Sequence, residues 1–220
     1  MKKSIHYLVF VFFILPIVYL WIIWNRIPQV VPLHWDMKGN IDKYGDKNQL
    51  MVMMLILSAA SCFVYLLICN SFRIDPKKQA AENKDRLQKI ALAVVIFMCA
   101  VQLWIVHTTL NGEPFFNAKF LFISMGLLFA IIGNYMNNLK PNWFAGLRLP
   151  WTLENEDNWR RTHQLASKLW FAGGLLMALC GFVLPFKAAF ASLIVIGLIL
   201  VIVPGVFSYR IYKNETSTHV

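Results

Sequence analysis

The chain has 220 residues, of which 58% are hydrophobic and only 15% are charged. Soluble domains carry about 25% charged residues, so this composition excludes a single water-soluble core and requires lipid around much of the apolar surface. The net charge of +10 does not indicate direct nucleic-acid binding, because the basic residues lie at the ends of apolar spans. The four cysteines lie inside apolar runs without CxxC spacing, which is typical of small buried residues.

Six apolar stretches predict six transmembrane helices, since each is long enough to cross a hydrocarbon layer of roughly 30 Å. They cover residues 5–24, 50–70, 90–110, 120–136, 165–184 and 188–207. The first stretch ends in the bulky residues WIIWNR, which favours an uncleaved helix over a signal peptide. The sequence therefore predicts an all-α, polytopic integral membrane protein. We expect two halves of three helices each, in residues 1–110 and 117–220.

The distribution of basic residues predicts the orientation of these helices. With the N-terminus inside, fifteen of the 21 Lys and Arg residues lie on the inner side and six on the outer side. Membrane proteins keep an excess of Lys and Arg in cytoplasmic loops, so both termini are predicted to be cytoplasmic. The polar loop 25–49 is then external, and the polar segment 137–164, here named the connector, is cytoplasmic.

The external loop is rich in proline, glycine and acidic turn formers, which predicts an ordered cap and not a helix. Three interpretations remain open. The loop is a folded cap anchored at the membrane surface by Trp35, or it contacts a ligand that arrives from outside. In the third, His34, Asp36 and Asp42 bind a divalent metal, although neither an HExxH motif nor a tight helical spacing supports this.

The connector combines tryptophans with acidic residues, arginines and a histidine. Asn155 or Thr152 is expected to cap a helix that runs without a break into the fifth span. This helix places Glu156, Trp159 and His163 broadly on one face and spaces Glu156 and Arg160 as an i,i+4 pair. The connector is interpreted as an aromatic anchor with arginines facing lipid phosphates, as a platform that binds or senses a partner, or as a catalytic site at His163.

The spans themselves are nearly free of ionisable groups. Gln102 is the only strongly polar residue in the middle of a span, and His107 lies near an outer end. Ion-coupled transport normally requires acids, bases or broken helices at mid-membrane depth, so a transporter is a weaker hypothesis. A membrane-embedded enzyme that acts on lipid or peptide is the other alternative. No cofactor is indicated.

Two groups of polar and aromatic residues resemble a known family. The connector and the residues just before it resemble the signature of the SdpI family of bacterial membrane immunity proteins, and the external loop resembles the DUF1648 domain that often precedes it. The first resemblance rests on Gly133-Asn134, Asn142, Gly146-Leu147-Arg148-Leu149-Pro150-Trp151-Thr152-Leu153, Trp159-Arg160 and Thr162-His163. The second rests on Pro32-Leu33-His34-Trp35, Gly39, Asp42, Tyr44-Gly45 and Lys47.

This resemblance implies a multi-pass protein of the bacterial plasma membrane, surrounded by lipids, that protects its cell from a secreted killing peptide. Some members of the family are also expected to hold a cytoplasmic transcriptional regulator at the membrane. The external residues expected to meet the peptide are His34, Trp35, Asp42, Tyr44 and Lys47. The connector residues expected to form the cytoplasmic functional segment are Asn142, Gly146, Arg148, Pro150, Trp151, Thr152, Glu156, Trp159, Arg160 and His163.

Overall fold

The structure of the chain, a computed structural model, describes residues 3–35, 41–75, 79–111 and 119–218. These residues form α-helices and one antiparallel pair of strands. The helices are α1 (Lys3–Ile22), α2 (Lys47–Ile74), α3 (Lys84–Asn111), α4 (Lys119–Met136), α5 (Pro150–Glu154), α6 (Glu156–Val183) and α7 (Phe186–Thr218). The strands are β1 (Val30–Trp35) and β2 (Ile41–Asp46), and short 3₁₀ turns lie at Trp24–Arg26 and Gln79–Asn83.

Five helices are long and apolar enough to cross a membrane: α2, α3, α4, α6 and α7. Helix α1 contributes a shorter apolar stretch, Tyr7–Ile22. Their outward faces carry many exposed large apolar side chains, which a lipid solvent accommodates at little cost. The chain is therefore a multi-pass, α-helical membrane protein, which confirms the predicted fold class. The count of six spans stays a prediction. So do the cytoplasmic position of both termini and the division into two halves.

Helices α4 and α6 pack with their backbones close together. A Cβ atom added at Gly126 of α4 would overlap the backbone of α6 at Ala178, and one added at Gly174 of α6 would overlap α4 at Ala130. Small residues at a contact allow such an approach between membrane helices. The small residues of α6 divide between two neighbours, because Gly174 faces α4 while Gly173 faces Leu200 of α7.

The polar residue in the middle of α3 joins α3 to α2. Gln102 is buried, and its Oε1 accepts a hydrogen bond of 2.8 Å from the Ser58 hydroxyl of α2. Its Nε2 donates to the Met98 carbonyl at 3.2 Å. Both ends of the amide are therefore paired within the protein, as a polar group in an apolar surrounding requires.

The two ends of the molecule have separate cores. At one end β1 and the start of α2 pack on α1 and α3 around Val31, Leu50 and Val106. Here β1 and β2 are called the hairpin. At the other end the connector packs on α3 around Leu87 and Trp159. The site residues that were predicted from the sequence lie at these two ends.

The hairpin replaces the ordered loop that the turn-forming residues indicated. Its side chains alternate, so that Val31 is fully buried while Val30 is exposed. The register shifts between Pro32 and His34, which marks an irregularity in β1. The strand was not expected because Pro32 interrupts it, and proline within a short apolar run argues against a regular strand.

Candidate functional site: the connector and the hairpin

The connector enters the membrane through α6, which begins at Glu156. The side chain of Asn155 accepts a hydrogen bond of 2.9 Å from the Asn158 backbone N–H, so Asn155 is the N-cap. Helix α6 then continues without a break to Val183, which confirms the predicted cap and the predicted continuity. Thr152, the alternative cap, instead lies inside α5, where its hydroxyl accepts from the Leu149 N–H at 3.0 Å.

Trp159 and His163 form the centre of the connector. Their rings are stacked with centroids 4.0 Å apart, and both side chains are almost fully buried, His163 with 0% of its surface exposed. The Trp159 indole N–H donates to the Leu139 carbonyl at 2.6 Å. This single ring pair therefore connects the beginning of α6 to the chain that follows α4.

The hydrogen bonds of His163 determine its tautomer. The Leu147 backbone N–H donates to Nε2 at 3.0 Å, so Nε2 must be the unprotonated nitrogen. Nδ1 lies 2.8 Å from the Trp159 carbonyl and can only donate to it. His163 is consequently neutral, with both ring nitrogens occupied by backbone groups. Such a ring has no lone pair left for a metal or for proton transfer to a substrate, which argues against the catalytic interpretation of His163.

Gly146 allows the loop to approach this ring. Its φ angle is +100°, a conformation that residues with a side chain rarely adopt. A Cβ atom at this position would also overlap Nε2 of His163. Gly146 and His163 are thus two parts of one contact, which explains why the loop requires glycine next to a buried histidine.

Asn142 holds the turn that precedes Gly146. Its side-chain oxygen accepts from the backbone N–H groups of Phe144 and Ala145 at 2.9 and 2.8 Å, and its amide nitrogen donates to the Lys140 carbonyl at 2.9 Å. Asn142 is fully buried, so these bonds satisfy a polar side chain that water does not reach. Its role is to shape the loop.

A second asparagine, Asn83, attaches the connector to the first half of the chain. Its amide nitrogen donates to the Lys140 carbonyl at 2.9 Å, and its oxygen accepts from the Lys140 N–H at 2.8 Å. Asn83 is fully buried and lies directly before α3. It was not among the predicted site residues, because its partner lies 57 positions away and no local pattern signals the pairing.

The end of α7 completes the connector. The Trp151 indole N–H donates to the Ser208 hydroxyl at 2.9 Å, and the Asn158 amide donates to the Ser208 carbonyl at 3.0 Å. The Trp151 ring also contacts the rings of Tyr209 and Tyr212. The sixth apolar stretch was predicted to end at residue 207, but α7 continues as a helix to Thr218.

The remaining predicted residues of the connector are exposed. Arg148, Pro150, Glu156 and Arg160 all lie at the surface. Arg160 donates to a carboxylate oxygen of Asp157 at 2.5 Å, a partner that was not expected from the sequence. A cleft of about 260 Å³ opens beside these residues, with Leu139, Lys140, Glu156, Trp159 and Arg160 among those that line it.

The hairpin exposes residues that were predicted to be functional, whereas the centre of the connector buries them. His34 Nδ1 lies 2.6 Å from an Asp42 carboxylate oxygen, and both side chains are exposed. The Tyr44 side chain is 58% exposed. Trp35 ends β1, and Asp36 lies outside the described residues. Within the described ranges no group of three potential metal ligands occurs, so a metal at His34, Asp36 and Asp42 stays a prediction.

Lys47 belongs to α2 and not to a loop. Asp46 is the N-cap of α2, and its backbone N–H donates to the Gln49 side-chain oxygen at 3.1 Å. This Asp46-x-x-Gln49 spacing is a capping-box signal that the sequence contained. The Lys47 ammonium lies 4.8 Å from the centre of the Trp24 ring, so it is held against the beginning of the 3₁₀ turn after α1.

Comparison with known proteins finds a separate family match at each end of the molecule. Residues 138–208 match the SdpI/YfhL protein family, and residues 11–58 match DUF1648, a domain of unknown function. The DUF1648 match thus precedes the SdpI/YfhL match, and residues 138–208 are named the SdpI-matching segment. It is similar to the Immunity protein SdpI of Bacillus subtilis (strain 168), with 26% identity over 196 residues that cover 88% of each chain. No solved structure matches it significantly.

The SdpI-matching segment contains the contacts described above for Asn142, Gly146, Trp159 and His163, and the Trp151–Ser208 hydrogen bond. Four of the side chains that carry the resemblance, those of Asn142, Thr152, Trp159 and His163, are buried and bonded to backbone groups. The resemblance predicted from these residues is confirmed, but the structure assigns them mainly to holding the connector together.

Proposed function

We propose that the chain is a membrane immunity protein that protects its cell from a secreted antimicrobial peptide. The observation that carries this proposal is its similarity to Immunity protein SdpI along 88% of both chains. The confirmed multi-pass fold supports it, because a protein that intercepts a peptide at the cell surface must present residues beyond the membrane.

The hairpin is the surface that best fits contact with such a peptide. Tyr44 and Val30 are exposed apolar groups, and the His34–Asp42 pair and Lys43 add polar groups of both charges. Aromatic residues surrounded by polar ones are typical of recognition surfaces. In this proposal the peptide meets His34, Trp35, Asp42, Tyr44 and Lys47.

The hairpin is also supported rigidly from beneath. Val31 and Leu50 are fully buried in a core shared with α1 and α3, and the Lys47 N–H donates to the Gln29 carbonyl at 3.1 Å. A cation–π contact joins Lys47 to Trp24. Because the exposed residues stand on this base, peptide binding does not first have to order the hairpin.

The test is survival of a peptide-sensitive bacterium that expresses the chain, with a panel of secreted antimicrobial peptides. We expect protection from at least one peptide and loss of that protection in Tyr44→Ala. Tyr7→Ala is the matched control, because Tyr7 is an exposed tyrosine on α1 outside the hairpin, and it should still protect. Unchanged killing by every peptide would overturn the proposed function. If Tyr44→Ala still protects, the proposed contact between the peptide and the hairpin is contradicted.

The cleft beside the connector favours a second role in signalling. We propose that a cytoplasmic transcriptional regulator docks there, because the cleft is lined by the exposed charges of Lys140, Glu156 and Arg160. The double variant Glu156→Gln, Arg160→Gln should keep protection but lose the change in gene expression that the peptide induces. An unchanged transcript profile in this variant would contradict regulator docking at the cleft.

A further inference from the structure

The arginines of the connector differ in how their charge is balanced. Arg160 and Arg161 both contact the carboxylate of Asp157, at 2.5 and 3.6 Å. Arg148 forms no ion pair within the described part of the chain. Its Nη1 donates to the Trp143 carbonyl at 2.6 Å. Since a guanidinium has five N–H groups, most of its donors point to the surroundings.

The loop that carries Arg148 is held in place by buried contacts. Asn142 fixes the turn next to Trp143, and the Leu147 N–H is bound by His163. Gly146 packs directly on the His163 ring. Arg148 therefore belongs to a shaped loop, and little order has to be gained when an anion binds its free donors.

The position of the loop along α6 places it near the membrane surface. His163, which contacts Leu147, precedes exposed Lys168 by five residues and exposed apolar Phe171 by eight. At 1.5 Å per residue these separations are about 8 and 12 Å along the helix. Trp143, which is bonded to Arg148, is 48% exposed. An exposed indole and a cation just beyond an apolar helical face are the residues found at the headgroup layer of a bilayer.

We propose that Arg148 and Trp143 form a binding site for the phosphate of an anionic phospholipid headgroup. The planar guanidinium offers paired N–H donors that match two phosphate oxygens, and no carboxylate of the described chain competes for them. The Trp143 indole lies beside the lipid glycerol region. The chain as a whole carries a net charge of +10, which favours an anionic lipid over a zwitterionic one. This site is independent of the proposed protection from a peptide.

The test is native mass spectrometry of the full chain in detergent, titrated with phosphatidylglycerol or with phosphatidylcholine. We expect tighter retention of phosphatidylglycerol by the wild type. Arg148→Gln should weaken it at least about tenfold, since one charge-assisted hydrogen bond contributes roughly that factor. Arg160→Gln is the matched control, because it removes a cation from the same segment that is already paired with Asp157, and its lipid binding should not change.

Arg148→Lys keeps the positive charge but loses the planar pair of N–H donors. We expect its phosphatidylglycerol affinity to lie between those of the wild type and Arg148→Gln. This variant also covers the case in which Arg148→Gln does not yield folded protein. Equal retention in wild type and Arg148→Lys would overturn the paired-donor geometry. Equal weakening in Arg148→Gln and Arg160→Gln, or equal binding of both lipids, would overturn the site. Displacement of the lipid by excess inorganic phosphate would show a general anion site and overturn the assignment to lipid.

Discussion

The two histidines of the predicted sites show how differently the two ends of the molecule use polar residues. His163 in the connector is completely buried, and backbone groups occupy both of its ring nitrogens. His34 in the hairpin has a side chain that is 67% exposed, and it contacts another exposed side chain, Asp42. The connector thus uses polar groups to fix the course of the chain, while the hairpin presents them to the surroundings.

This difference separates residues that support the fold from residues that meet a partner. Buried hydrogen bonds are costly to break, because a buried group that loses its partner cannot form a hydrogen bond with water instead. Exposed pairs contribute little to stability, because water and salt screen them. The comparison therefore predicts large losses of stability at the connector and small ones at the hairpin, and the following variants test it in that order.

Gly146→Ala should cause the largest loss. The positive φ angle costs a residue with a side chain about 1–2 kcal/mol, and overlap with His163 adds to this, so we expect a decrease of about 2–4 kcal/mol in the free energy of unfolding. Titration of the protein with sodium dodecyl sulfate in mixed micelles measures it. Gly205→Ala is the control, since a Cβ atom there meets nothing within 4 Å and should not destabilise the protein. Similar stability in both variants would contradict the proposed packing of Gly146.

His163→Phe should decrease the free energy of unfolding by about 2–3 kcal/mol. The ring and its stacking on Trp159 are kept, but the Leu147 N–H loses its partner, and the Trp159 carbonyl keeps only its helical hydrogen bond. The same titration measures the loss. A variant as stable as the wild type would mean that stacking alone holds the loop and that the tautomer of His163 is not fixed by Leu147.

Trp151→Phe should have a smaller effect, about 1 kcal/mol. Phenylalanine keeps an aromatic contact with Tyr209 and Tyr212 but cannot donate to the Ser208 hydroxyl. The loss destabilises only the end of α7, so backbone amide hydrogen exchange should increase in the part of α7 after Ser208 before it increases elsewhere. Uniform exchange along α7 would contradict the attachment of its end to the connector.

His34→Ala should have the smallest effect on stability, about 0–1 kcal/mol, because its pair with Asp42 is exposed. Protection from the peptide should nevertheless decrease. If His34→Ala destabilises the protein as much as His163→Phe does, the two ends do not differ in the way described here.

The parts of the structure that could be predicted are those that short stretches of sequence determine. The long apolar helices follow from hydropathy and length, and the start of α6 follows from the cap at Asn155. The connector residues that resemble a known family were also recognisable, because polar and aromatic residues at fixed positions stand out from an apolar background.

The parts that could not be predicted depend on distant partners. His163 contacts a residue 16 positions away, and Asn83 and Ser208 bind groups 57 and 50 positions away. No local pattern distinguishes a histidine bonded to backbone from one that binds a substrate. The close approach of Gly126 to α6 was also missed, because its meaning appears only when both helices are placed together.

The contact between the connector and Ser208 has a consequence for biosynthesis. A ribosome produces Trp151 and Asn158 about 50 residues before their common partner. During this interval α6 is already present, but the polar groups that will bind α7 still lack their partner. Chains emerge at roughly 5–20 residues per second, so the connector stays incomplete for seconds. Helix α7 therefore completes the connector, which is made earlier, and a chain truncated before residue 208 would leave the connector without this partner although residues 137–164 are intact.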